Sequence, residues 1–215
     1  TFILLVSYTV ILCMGNGYAC DESNILSIID RQLFGEAHLY QKSPIDPEGF
    51  VSTLSAIAHT CIGFSCGKWI IQSHQTENKV LRLFLTGFIL MSIGYLLADA
   101  LPLNKRIWSP TFVLVTCGAA SMSLATLMYY IDIRNKQKWC RFFIIFGVNP
   151  LFLYVLSEVL AIMMGSTGWK AAAYAAIHSG ITDTYLASAV YALVFTLFLG
   201  CIGYPLYLKK IYIKL

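Results

Sequence analysis

The residues best suited to chemistry are few and sit mostly at the ends of long apolar runs. Asp46-Pro47-Glu48-Gly49 places two carboxylates in one turn, a pair that suits a cationic or hydroxylated ligand. The same turn also reads as a helix start, with Asp46 extended before proline and Glu48 where a helix dipole favours negative charge. Asn104-Lys105-Arg106-Ile107-Trp108 forms a second dense cluster. Its two cations suit a phosphate or uronate, or pairing with Asp46, Glu48 or Asp99, and Trp108 serves either as an interfacial anchor or as a ligand platform. Within an apolar run lie Asn149-Pro150 and, further on, Glu158. Proline there frees a backbone carbonyl, beside which Asn149 can bond a neighbour or a ligand. A carboxylate at such depth marks a pathway, a proton site or a buried pair, or it is tied to hydroxyls on neighbouring helices.

Five apolar stretches must position these groups: Phe50–Ile71, Val80–Leu101, Pro110–Ile131, Phe142–Met164 and Tyr185–Leu208, with a shorter one at Thr1–Met14. A helix of such length covers roughly 33 Å, the hydrocarbon thickness of a bilayer. Hydrophobic residues make up 58% of the 215, charged residues 12%, and the mean hydropathy is +0.69, which excludes an ordinary soluble domain. The fold class is therefore all-α: a polytopic transmembrane helical bundle in one domain, with five full spans plus one truncated N-terminal span. Of the 15 basic residues, Lys68, Lys79, Arg82, Arg134, Lys136, Lys138, Arg141, Lys209, Lys210 and Lys214 fall at alternate span ends. That side is cytoplasmic by the positive-inside rule, and so is the C-terminus. Loops 15–49, 102–110 and 165–184 are then external. The first stretch lacks the basic start of a signal peptide and reads as the cut end of a span, so a longer membrane protein is expected, with this chain as its C-terminal part.

In the first external loop Ile25, Ile28, Ile29 and Leu33 recur near helical spacing, with Asp30 and Arg31 opposite. This predicts a short amphipathic helix over Asn24–Phe34, lying on the membrane surface. Gly63 and Gly67 form a GxxxG pattern that favours close helix approach. His59 reads as a neutral histidine packed between helices, and His74 and His178 as loop residues. Neither the seven cysteines nor the histidines have the spacing of a zinc site, and no nucleic-acid signature is present.

Taken in order, His38-Leu39-Tyr40-Gln41, Asp46-Pro47-Glu48-Gly49, Pro102-Leu103-Asn104-Lys105 with Trp108-Ser109, Gly147-Val148-Asn149-Pro150 followed by Tyr154 and Glu158, and the ending Tyr207-Leu208-Lys209-Lys210 carry a family likeness. The chain from about Leu33 onward resembles the C-terminal half of the heparan-alpha-glucosaminide N-acetyltransferase family and its bacterial relatives. Some of those relatives are labelled N-acetylglucosamine-related inner-membrane transporters. The resemblance implies transfer of an acetyl group from acetyl-CoA to the amine of a terminal glucosamine, with the essential histidine upstream of this chain. It further implies that no catalytic residue lies here, that His38, Asp46, Glu48, Asn104, Lys105, Trp108, Asn149 and Glu158 bind or position substrate, and that the setting is a bacterial inner membrane. The expected partners are the lipid bilayer, an amino sugar and the missing N-terminal half, with homo-oligomerisation left open. Amino-sugar transport is the competing expectation, and a scaffold without chemistry the third.

Overall fold

The computed structural model describes residues 1–40, 43–72 and 75–213, so His74, Gln41, Lys42 and Lys214 lie outside the described residues. The described residues are helical throughout, without strands. Two compact units make up the chain, Thr1–Asn135 and Lys136–Leu215. Four helices are long and apolar enough to cross a bilayer, and five spans result if one bent pair counts as a single crossing.

The first unit contains α1 (Phe2–Met14), α2 (Ile25–Phe34), a single 3-10 turn at Glu36–His38, α3 (Thr53–Gln72), α4 (Thr76–Leu96) and α5 (Pro110–Met128), which runs on through a π turn at Tyr129–Ile133. α4 starts four residues before the predicted span and ends well short of Leu101, because residues 97–101 turn toward Pro102 instead of continuing the helix. α5 starts where Ser109 Oγ accepts the Phe112 N–H and Pro110 takes the first helical position, a pairing of cap and proline that sets the boundary.

The close helix approach is at glycines other than the GxxxG pair. A Cβ on Gly118 of α5 would lie 2.6 Å from the Gly87 carbonyl oxygen of α4, and one on Gly87 would lie 2.7 Å from that of Gly118. Gly63 and Gly67 face open space, on a groove of about 220 Å³ along α3 and α5. The pattern is present in the sequence, but the backbone contact it favours is made elsewhere.

The second unit contains α6 (Cys140–Val148), α7 (Pro150–Ser166), α8 (Trp169–His178) and α9 (Thr184–Leu208). The stretch read as one span, Phe142–Met164, is broken: α6 and α7 meet at Asn149 with a bend of 82°. Proline at the start of α7 removes the amide that would have continued the helix. The segment 165–184, read as a loop, folds α8, so His178 ends a helix with its ring 5.8 Å from Tyr174. α9 packs on α6 through Gly203, whose Cβ position lies 3.0 Å from Ile145.

Candidate functional site

α2 carries the first surprise of the site. Its buried face is mixed: Asn24, Ser27 and Asp30 are 0%, 1% and 0% exposed, Leu26 is buried with Ile25 and Ile29 packed on the same cluster, and Ile28 and Leu33 face outward. The sequence expectation set Asp30 opposite the apolar stripe, and it is buried instead. The reason is hydrogen-bond demand, since loop carbonyls enclosed by the unit need donors. Asn24 Nδ2 donates to the carbonyls of Gly17 (2.7 Å) and Ala19 (2.9 Å), and its Oδ1 caps α2 at Leu26. Ser27 Oγ donates to Pro44 O at 2.6 Å.

Asp30 Oδ1 accepts the Phe50 N–H at 2.9 Å, and its Oδ2 is buried without a partner. Burial raises its carboxyl above the ordinary carboxylate value, against the lowering effect of the Phe50 bond, and the charge of Asp46 raises it further. Burial also pushes the Tyr18 phenol up to about 12.

Beside this helix lies a pocket of about 450 Å³ lined by Glu22, Arg31, Glu36, Tyr40, Ser43 and Asp46, among others. Arg31 bonds Glu22 at 2.9 Å and stands 3.7 Å from Glu36. Its guanidinium holds the Glu22 carboxyl below the ordinary range. Among the described lining residues three carboxylates stand against one guanidinium, a setting that attracts cations. Asp46 shapes the wall: its Oδ2 accepts the Tyr40 N–H at 3.1 Å and its Oδ1 the Glu48 N–H at 2.9 Å.

Of the eight substrate-binding candidates read from the sequence, Asp46 is the one among the described lining residues. Glu48 is exposed nearby, and His38 is exposed with Nδ1 2.9 Å from Phe34 O, at the end of its own helix. The loop 102–109 comes to the same end of the unit. Arg106 reaches Ser43 Oγ at 3.4 Å, and Ile107 is buried with Ile45 and Val51, where the Tyr8 hydroxyl donates to its carbonyl. Asn104 is spent on the turn, its Oδ1 accepting the Arg106 N–H at 2.9 Å, and Lys105 is exposed.

Trp108 takes a left-handed backbone (φ 52°), uncommon for a bulky side chain, and its carbonyl accepts from Ser55 Oγ at 2.6 Å. Its ring stands 5.9 Å from that of His59, and the indole Nε1 and His59 Nδ1 are both buried without partners.

Asn149 and Glu158 belong to the second unit. Asn149 is 4% exposed and clamps the segment after α9, donating to Ile211 O and accepting from Ile213 N, both at 2.8 Å. Glu158 is exposed on α7. Sequence reasoning passed over Glu22, Arg31 and Glu36 as pocket residues, and Ser27 and Asp30 as wall-builders. A usable signal existed in the polar residues at 24, 27 and 30, recurring every third position along α2.

Helices of membrane-crossing length, with an acidic pocket built on the segment that joins α1 to α3, define an integral membrane protein of the helical-bundle class. The chain is similar to heparan-alpha-glucosaminide N-acetyltransferase of Mus musculus, 27% identical over an alignment of 204 residues that covers 87% of this chain and 30% of that protein. It is 28% identical over 204 residues to the Homo sapiens protein of the same name, again 87% of this chain and 29% of that one. The chain thus spans about 30% of the length of the curated relatives it matches. No family model matches.

Proposed function

We propose that this chain is part of an integral-membrane N-acetyltransferase that takes a terminal amino sugar as acceptor and acetyl-CoA as donor. The observation that carries the reading is the likeness to two N-acetyltransferases along 87% of the chain. The acidic pocket of Glu22, Arg31, Glu36 and Asp46 adds chemical support for the acceptor. A glucosamine amine is protonated at neutral pH, and carboxylates bind that form. The nucleophile is the free amine, so a group that only stabilises the ammonium opposes attack. The pocket carboxylates therefore capture and orient the sugar.

In transfer the amine loses a proton, its nitrogen bonds the acetyl carbon, the carbon–sulfur bond breaks and the thiolate leaves. The base comes from outside these 215 residues. The pocket's negative charge does not fit the donor's diphosphate, so no donor step is assigned to it. On this reading the pocket faces the non-cytoplasmic side, in keeping with the positive-inside bias of the basic residues. Arg106, bonded to Ser43 on the pocket wall, is placed to meet an acidic neighbouring sugar.

The test is Glu22→Gln with Glu36→Gln in the intact protein. The expected result is a rise of about tenfold in KM for glucosamine, with little change in kcat. An unchanged KM overturns the pocket assignment. The 82° break between α6 and α7 favours the second reading, amino-sugar transport. Uptake into vesicles without acetyl-CoA supports transport, and acetyl transfer in detergent, where no compartments exist, supports the enzyme.

A further inference from the structure

Ser43, Pro44 and Asp46, from the strip 43–50, line the pocket on one side, and Arg31 lines it from α2. Two buried side chains one turn apart on α2 tie the two sides together. Ser27 holds Pro44 by its carbonyl, and Asp30 holds Phe50 by its amide. Pro44 and Asp46 line the pocket from the strip, and Arg31, next to Asp30, lines it from the helix. The fit at the far end is close: a Cβ on Gly49 would stand 2.2 Å from Asp30 Oδ2. A buried carboxylate with one unbonded oxygen is a costly way to satisfy one amide, because the desolvated charge is only partly compensated. An asparagine or serine would cap Phe50 with less penalty.

The geometry points to Asp30, seconded by Ser27, as the positioning residue of the pocket: it fixes Asp46 on the strip relative to Arg31 on α2 without touching the ligand. For the identity of the ligand the inference rests on the amino-sugar reading; for the geometry it does not.

Asp30→Ala in the intact protein frees the Phe50 amide. It should raise KM for glucosamine about tenfold while kcat stays within about twofold. Asp30→Asn keeps Oδ1 on that amide and should restore most of the loss. Gly49→Ala drives its new methyl group into the carboxylate and should reproduce the defect in the wild-type background. In the Asp30→Ala background it should add much less, because only the 3.3 Å approach to the Asp46 carbonyl oxygen then remains.

Amide hydrogen exchange over 43–50, read without any sugar, should speed up in Asp30→Ala and in Gly49→Ala. Unchanged exchange overturns the inference, as do fully additive effects of the two substitutions or an Asp30→Asn protein as impaired as Asp30→Ala. Faster exchange in a protein whose wild type shows no glucosamine response sustains the positioning role and overturns the amino-sugar reading alone.

Discussion

A methyl group added at Gly118 should weaken the first unit, and the same addition at Gly63 should not. At Gly118 the new Cβ would lie 2.6 Å from the Gly87 carbonyl oxygen and 2.6 Å from the Met91 nitrogen. Both are backbone atoms on a neighbouring helix, so neither can rotate aside. α4 and α5 must part by about 0.8 Å to regain the 3.4 Å of ordinary contact. Overpacking of this kind costs about 1–3 kcal/mol. The intrinsic gain from glycine to alanine in a helix interior returns about 1 kcal/mol. With backbone on both sides the upper part of the range applies, leaving a net loss of about 2 kcal/mol. Gly63 has nothing within 4 Å of its Cβ position, so Gly63→Ala keeps only the helical gain, about 0.5–1 kcal/mol. The two variants should therefore differ by about 3 kcal/mol, roughly a hundredfold in the folding equilibrium. Reversible unfolding in mixed micelles, followed by far-ultraviolet circular dichroism, measures the difference. Gly87→Ala combined with Gly118→Ala should cost less than the sum, because one separation serves both methyl groups. A Gly118→Ala protein as stable as wild type, or a Gly63→Ala protein just as damaged, would refute this account of the crossing.

Two further outcomes follow from buried polar groups. Asn149→Leu leaves Ile211 O and Ile213 N without their partner, at a cost of about 1–3 kcal/mol; exchange of the Ile213 amide should quicken, and an unaltered rate counts against the clamp. The Asp30 carboxyl is raised first by burial, so the folded chain holds that proton more tightly than the unfolded one. Its contribution to stability is whole below the unfolded value and is lost as pH rises through the folded value. Asp30→Asn should flatten that part of the pH–stability curve, and a slope that survives the substitution contradicts the assignment.

The spans were legible because a bilayer demands long apolar runs and composition alone reports their length. α9 begins within one residue of the sequence expectation for the same reason, with Asp183 capping it through the Leu186 amide. The break at Pro150 was visible as a proline, but its 82° angle depends on how α6, α7 and α9 pack, which no local pattern encodes. The burial of Asp30 was missed because apolar periodicity identifies a helix without saying which of its polar residues a neighbouring loop encloses. Here the carbonyls of Gly17, Ala19 and Pro44 and the amide of Phe50 take up Asn24, Ser27 and Asp30. Gly63 and Gly67 were conspicuous by spacing, yet Gly87 and Gly118 make the contact, and they lie on different helices where no linear motif joins them. At the pocket, Asp46 was found through its proline. Glu22, Arg31 and Glu36 are ordinary surface charges until the loop folds back and gathers them.

The bond from Tyr8 to the Ile107 carbonyl links groups 99 residues apart. At about 5–20 residues per second, a ribosome needs roughly 5–20 s to supply the second partner after the first. Through that interval the phenol of α1 is unmatched while α3 and α4 are made after it. Tyr8 thus gains its partner only after α3 and α4 exist, and a biogenesis factor that shelters polar side chains has a hydroxyl of α1 to cover until then.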